Sequence, residues 1–119
     1  MTRSGDLSVR RLDPDDAARY QELRLRGLEE HPEALTYSAQ EERARPLQWA
    51  QERLRPDARR PHDLLLGASR ADTLLGIVGL QGRYRPKERH SATVVGMYAV
   101  PEVSGQGVGR ALMQALPLR

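Results

Sequence analysis

The sequence predicts an α+β domain, and three observations carry that reading. Periodicity comes first: the N-terminal half holds helical stripes, and the C-terminal half holds short apolar runs of strand length. Element order is second, β-α-α-β-β-β-α, in place of a regular strand–helix alternation. The third is size, because 119 residues suit a single domain over residues 1–119 with a modest core, whereas two domains would each be marginal.

Leu7 to Leu12 alternates Leu7, Val9 and Arg11 against Ser8 and Arg10, the period of a first strand. Asp13-Pro14-Asp15-Asp16 then announces a helix. Asp13 is a fitting N-cap, Pro14 suits the first helical position, and the two following acids favour the positive end of the helix dipole. On a helical wheel Ala17, Tyr20, Leu23, Gly27 and Leu28 share one face, a buried stripe that Pro32 brings to an end. A second helix is expected from Pro46 to Leu54, with Leu47, Ala50 and Leu54 on its inner face and Pro56 ending it. Glu41-Glu42 adds a turn before it, and Trp49 is expected in the core or at an interface.

After the polar stretch from Pro56 to His62 the pattern changes to three strands, Leu64 to Ala68, Leu74 to Leu80 and Ala92 to Val100. Ser69 to Thr73 is short enough to join the first two as an antiparallel hairpin. The loop from Gln81 to His90 returns the chain for the third. A mixed, mainly antiparallel sheet follows, and a last helix begins near Gly109.

Composition narrows the function. Hydrophobic residues make up 39% and charged residues 29%, too apolar for a disordered chain and too polar for a membrane protein. The first residues lack the apolar core of a signal peptide, so a cytoplasmic location and no membrane partner are the expectation. With no cysteine, disulfides and thiolate chemistry are excluded, and three scattered histidines make a metal site an unexpected feature. The net charge of +3 and pI near 9.8 come from arginine, since Lys87 is the sole lysine. These arginines form no single basic block, so a small phosphorylated ligand is expected and no nucleic acid.

The loop from Glu102 to Gly109 holds Gly105, Gly107 and Gly109 between a strand and a helix start. Alternate glycines let backbone N–H groups converge with no Cβ in the way, and the helix adds its unsatisfied amides. That combination suits a diphosphate. A Walker loop would end in Gly-Lys-Ser/Thr, but Arg110-Ala111 follows here; a dinucleotide fingerprint needs G-x-G-x-x-G, and the chain has G-x-G-x-G.

Strand MYAV, then Pro101, then SGQGVGRALM resembles the GNAT superfamily of N-acetyltransferases, whose signature is Gln/Arg-x-x-Gly-x-Gly/Ala. Ser104 stands at the Gln/Arg position, Gly107 at the first required glycine and Gly109 at the second. The resemblance implies acetyl-CoA as cosubstrate, with acetyl transfer to a primary amine by direct attack. It implies that the backbone of Tyr98, Ala99 and Val100 pairs with the pantetheine arm. The amides of Gly105, Gln106, Gly107, Val108, Gly109 and Arg110 would hold the pyrophosphate beside Ser104. Gly96-Met97 falls where such strands bulge, which would free an N–H near Tyr98 to polarise the thioester carbonyl.

The acceptor implied is a small-molecule or peptide amine. Glu29, Glu30 and His31 fall where the family builds the acceptor pocket, and Glu88 and His90 precede the cofactor strand; none is assigned as catalytic base or acid. The family's fold continues to a fifth strand, so the chain is expected to stop before it, leaving a strand edge open to a second copy and a homodimer. The alternative reading is a catalytically incompetent acyl-CoA-binding remnant of the family.

Overall fold

The computed structural model describes residues 6–31, 39–84 and 92–117. Its elements are β1 (Leu7–Arg11), α1 (Ala17–Glu30), α2 (Ala39–Arg43), α3 (Leu47–Leu54), β2 (Leu64–Arg70), β3 (Thr73–Gly82), β4 (Ala92–Ala99) and α4 (Val108–Ala115). Short 3₁₀ turns at Pro14–Asp16 and Pro101–Val103 enter α1 and leave β4. The α+β class is the one expected, with one more helix: the Glu41-Glu42 turn is an element of its own, α2. Glu88 and His90 lie outside the described residues.

The sheet has the order β1-β2-β3-β4, and every pairing among the described strands is antiparallel. The expectation of a mixed sheet is narrowed accordingly. Arg70 faces Thr73, so the hairpin between β2 and β3 closes over Ala71-Asp72 alone, with Ala71 at φ 50.

Directly opposed residues of antiparallel strands share a face, and this fixes where the helices lie. Gly76 opposes Ala99, and a Cβ on Gly76 would stand 2.8 Å from Val108 and 3.1 Å from Leu112; α4 therefore covers that face. Ile77 opposes Tyr98, and Gly27 of α1 approaches the Tyr98 ring. The sheet is thus held between α1 on one side and α4 on the other.

The buried residues of α1 are Ala17, Tyr20, Leu23, Gly27 and Leu28, the stripe expected from the wheel. In α3 only Ala50 and Leu54 are buried, whereas Leu47 is 45% exposed. The expectation for Leu47 is corrected: it opens an eight-residue helix, and its position lies beyond the part of that helix reaching the core. Arg53 Nε donates to the Tyr20 hydroxyl at 2.9 Å, tying α3 to α1.

Asp16 anchors the start of α1. Asp13 accepts from the Asp15 amide while Asp16 accepts from the Asp13 amide, a reciprocal cap. Arg10 of β1 grips the Asp16 carboxylate with two N–H groups at 2.6 and 2.8 Å, and Arg19 adds a third at 2.9 Å. The Arg10 bond, followed by the Asp13 amide and the nearby charges, outweighs burial and pushes the Asp16 carboxyl down to about 2.

Candidate active site

Strand β4 carries a bulge at its middle. Ile77 faces Tyr98 and Gly79 faces Val95, so Val78 alone stands opposite both Gly96 and Met97. Gly96 has φ +60, the left-handed conformation that glycine adopts without steric cost. The Gly96-Met97 position expected from the sequence is therefore the place where the ladder is interrupted.

Beyond the strand, Val100 still donates to Leu75 at 2.9 Å, and the 3₁₀ turn then redirects the chain. Gly105 and Gly107 take φ +79 and +81, and a Cβ at either would meet no atom within 4 Å. Neither glycine is demanded by packing inside the chain; the backbone path and the open space before it require them. Gly107 caps α4, and the Ala111 amide closes the first helical bond on its carbonyl at 2.9 Å.

Among the described residues no backbone acceptor takes the amides of Gly105, Gly107, Val108, Gly109 or Arg110, loop or first-turn donors in a stretch where Gly105, Gly107 and Arg110 are exposed and Val108 is buried. Gln106 differs: its amide donates to Val103 at 3.0 Å, and its side-chain oxygen accepts from Arg70 at 2.5 Å. The amides border a cleft of about 340 Å³ that begins at Ala99 and Val100, passes Ser104 and ends at Arg110. An anion as large as a diphosphate fits this donor set: unsatisfied N–H groups, a helix start and no side chain in the way.

Tyr98 belongs to a different cavity. A pocket of about 250 Å³ lies at the bulge, walled by Gly96, Met97 and Tyr98 of β4, Ile77 of β3, and Arg24, Gly27 and His31 from α1 and its end. The Tyr98 ring packs on Gly27 and meets the His31 ring edge-on at 6.4 Å. Its hydroxyl donates to Glu30 Oε1 at 2.6 Å. Burial, then the bond to Glu30, pushes the phenol well above the usual tyrosine range, while that same bond and Arg26 hold Glu30 below the usual carboxylate range. Arg26 donates to Glu30 Oε2 at 2.9 Å and also pairs with Glu102 of the 3₁₀ turn, holding that carboxyl low as well.

Arg24 ties this pocket to a buried acid. Glu42 of α2 accepts from Arg24 Nε at 2.7 Å and has Arg45 Nε at 3.5 Å. Around it, the guanidiniums of Arg45, Arg24 and Arg53 lie 4.1, 5.7 and 5.5 Å from the centre of the half-buried Trp49 ring. Nothing in the sequence singles out Glu42, since a buried carboxylate is seen only once its arginines are in place. Arg24, Gly27 and His31, by contrast, share a side of α1 at helical spacing, and that signal was readable.

A model of the acetyltransferase (GNAT) family matches residues 21–116. The chain belongs to the GNAT acetyltransferase family. The GNAT match takes in α1 from Gln21 onward, the bulged strand and the glycine loop. Solved structures agree on the fold. A GNAT-family acetyltransferase from Streptococcus pneumoniae superposes with a TM-score of 0.70 at 20% identity, covering 92% of this chain and 64% of that one. A ribosomal-protein-alanine N-acetyltransferase from Brucella melitensis gives 0.66 at 20% identity, over 93% and 69%. An aminoglycoside acetyltransferase from an uncultured soil metagenomic sample, solved with sisomicin, gives 0.67 at 17%, over 92% and 66%. This GNAT chain thus spans about two thirds of the length of these structures. No curated protein matches it in sequence. Among the described residues no helix is long and apolar enough to cross a membrane.

Proposed function

We propose that this chain binds acetyl-CoA and directs acetyl transfer to a primary amine. One observation carries the reading: two cavities are lined by consecutive stretches of a single strand. The cleft of free amides begins at Ala99, and the pocket at the bulge ends at Tyr98. A reaction between an anionic carrier and a separate amine needs two adjoining sites of this kind.

Acetyl-CoA would supply an acetyl group activated as a thioester. The amides of Gly105, Gly107, Val108, Gly109 and Arg110 would hold its diphosphate, with Ser104 at the rim and Gln106 holding the loop through Val103 and Arg70. The backbone of Tyr98, Ala99 and Val100 would align the pantetheine arm. The bulge gives Gly96 and Met97 freedom from a regular ladder, so that an N–H beside Tyr98 can polarise a carbonyl. Glu30 meets this pocket through its bond to Tyr98, and with Oε1 accepting from Tyr98 and Oε2 from Arg26 it would hold the Tyr98 hydroxyl in place rather than take a proton from the ammonium. The pocket at the bulge would take the amine.

Calorimetry with acetyl-CoA tests the cofactor half; heat with saturation at micromolar to millimolar ligand is expected, and its absence would overturn the reading. Release of CoA thiol in the presence of an amine tests transfer. The second reading, an acyl-CoA-binding remnant without transfer, is favoured by the far edge of β4, which pairs with no described strand. It predicts acetyl-CoA binding with no thiol release from any amine. Light scattering checks whether that edge brings two copies together.

A further inference from the structure

An amine reaches a site at neutral pH as an ammonium, and its nitrogen can attack only after a group beside it has taken a proton. The wall of the pocket at the bulge narrows the choice of that group. Gly27, Ile77, Gly96 and Met97 bear nothing that ionises, and Arg24 keeps its charge at every working pH. Tyr98 gives its hydroxyl hydrogen to Glu30, and burial with that bond holds the phenol protonated well above the usual tyrosine range. Glu30 is itself engaged on both oxygens, by Tyr98 and by Arg26. The remaining residue of the wall is His31, and imidazole is the side chain that gains and loses charge between about pH 5 and 8.

We infer that His31 is the general base of the transfer, the group that takes a proton from the ammonium of the acceptor. This rests on the reading of the pocket as the acceptor site. In the step, an N–H bond of the ammonium breaks and an N–H bond forms on the imidazole; the lone pair stays on the amine nitrogen and the positive charge passes to the ring. The residue is anchored for this task, because its amide donates to Gly27 at 2.9 Å and closes the last turn of α1. Its ring stands edge-on to Tyr98 at 6.4 Å, beside the bulge. Among the described residues no hydrogen bond occupies its ring nitrogens. The charged groups around it are Glu30, which attracts an imidazolium, Arg24 on the same wall, and Arg26 with Glu102 behind Glu30. The carbonyl end of α1 favours the charged ring as well. His31 is exposed, so a proton once taken can pass to water.

The test follows release of CoA thiol against pH, with glycinamide, benzylamine and putrescine as probe amines, beside calorimetry with acetyl-CoA alone. The rate should climb as pH rises from about 5 to 8, since the ring accepts a proton only when neutral. His31→Gln should lower the rate near neutrality about 100-fold, keep acetyl-CoA affinity, and leave a rate that follows the ionisation of the free amine. In His31→Ala, added imidazole should restore release, a rescue that a residue merely shaping the wall would not show. A second readout needs no turnover: the His31 ring resonance, identified by its loss in His31→Gln, should move when the reactive amine is added before any acetyl-CoA. A wild-type rate and pH profile in His31→Gln, a failure of imidazole rescue, or a fixed ring resonance would each overturn the base while leaving the transfer reading in place. Acetyl-CoA binding without thiol release from any of the three amines overturns transfer and the base with it, and calorimetry decides the cofactor half by itself. Because the ring is exposed, both variants should keep the native circular dichroism spectrum.

Discussion

Two cavities are lined in part by β4, and they are made of different material. The cleft beyond Ala99 is walled by main-chain amides, and its form depends on backbone angles at Gly105 and Gly107. The pocket before it is walled by side chains, and its form depends on ion pairs drawn from α1, α2 and the turn after β4. The first can hold a ligand group common to many reactions, since amides are the same in every chain. The second can differ in every chain, because each charged side chain can be exchanged. On the proposed reading, carrier recognition would rest on the backbone and acceptor recognition on side chains.

Substitutions should separate the two materials, and the largest effect is expected from Glu42→Ala. Removing the buried carboxylate leaves Arg24 and Arg45 without their shared partner, with a loss of about 3 kcal/mol in urea unfolding. If the loss is below about 1 kcal/mol, the side-chain wall is not held by that pair. Gly107→Val comes next. A β-branched residue at φ +81 costs about 2 kcal/mol, and acetyl-CoA affinity should fall at least tenfold by calorimetry while Trp49 fluorescence keeps its native spectrum. A changed spectrum with unchanged affinity would reverse the assignment of the two walls.

Asp16 belongs to neither cavity and provides a control by pH. Its folded value of about 2 lies below the ordinary 3.8, so the carboxylate contributes stability that is complete above pH 3.8 and lost as pH falls toward 2. The contribution is about 2 kcal/mol, and Asp16→Asn should flatten the acid limb of stability against pH without changing the binding of either ligand. The smallest effect is expected from Tyr98→Phe, which removes one hydrogen bond to Glu30 at a cost of about 1 kcal/mol. Because the Tyr98 phenol titrates above the ordinary 10, the variant should lose the highest step of the ultraviolet tyrosine titration. A spectrum unchanged at high pH would mean that Tyr98 does not hold its proton against Glu30.

The same division of material explains what was legible in the sequence. The glycine loop was legible because each feature that shapes it is local: strand, Pro101, alternate glycines, helix start. The bulge at Gly96 and the stripe from Ala17 to Leu28 were local as well, one a residue type and the other a period. Leu47 was misplaced because a wheel gives direction but not where the neighbouring element ends. The pairs Arg24 with Glu42, Arg26 with Glu102 and Arg70 with Gln106 join residues 18, 76 and 36 positions apart. Only the folded chain brings them together, and in a sequence with arginines throughout no spacing marks the ones that meet an acid.

Gly27 is a gauge set between α1 and β4. A methyl group there would stand 3.1 Å from the Tyr98 ring, closer than side chains ordinarily pack, so helix and strand would have to part by a few tenths of an ångström. A glycine inside a helix costs roughly 0.5–1 kcal/mol relative to alanine, and what this one permits is a narrow gap. The width of the pocket at the bulge is therefore set by an absent atom, and, on the proposed reading of that pocket, graded substitutions at position 27 would change the size of amine admitted while leaving the glycine loop untouched.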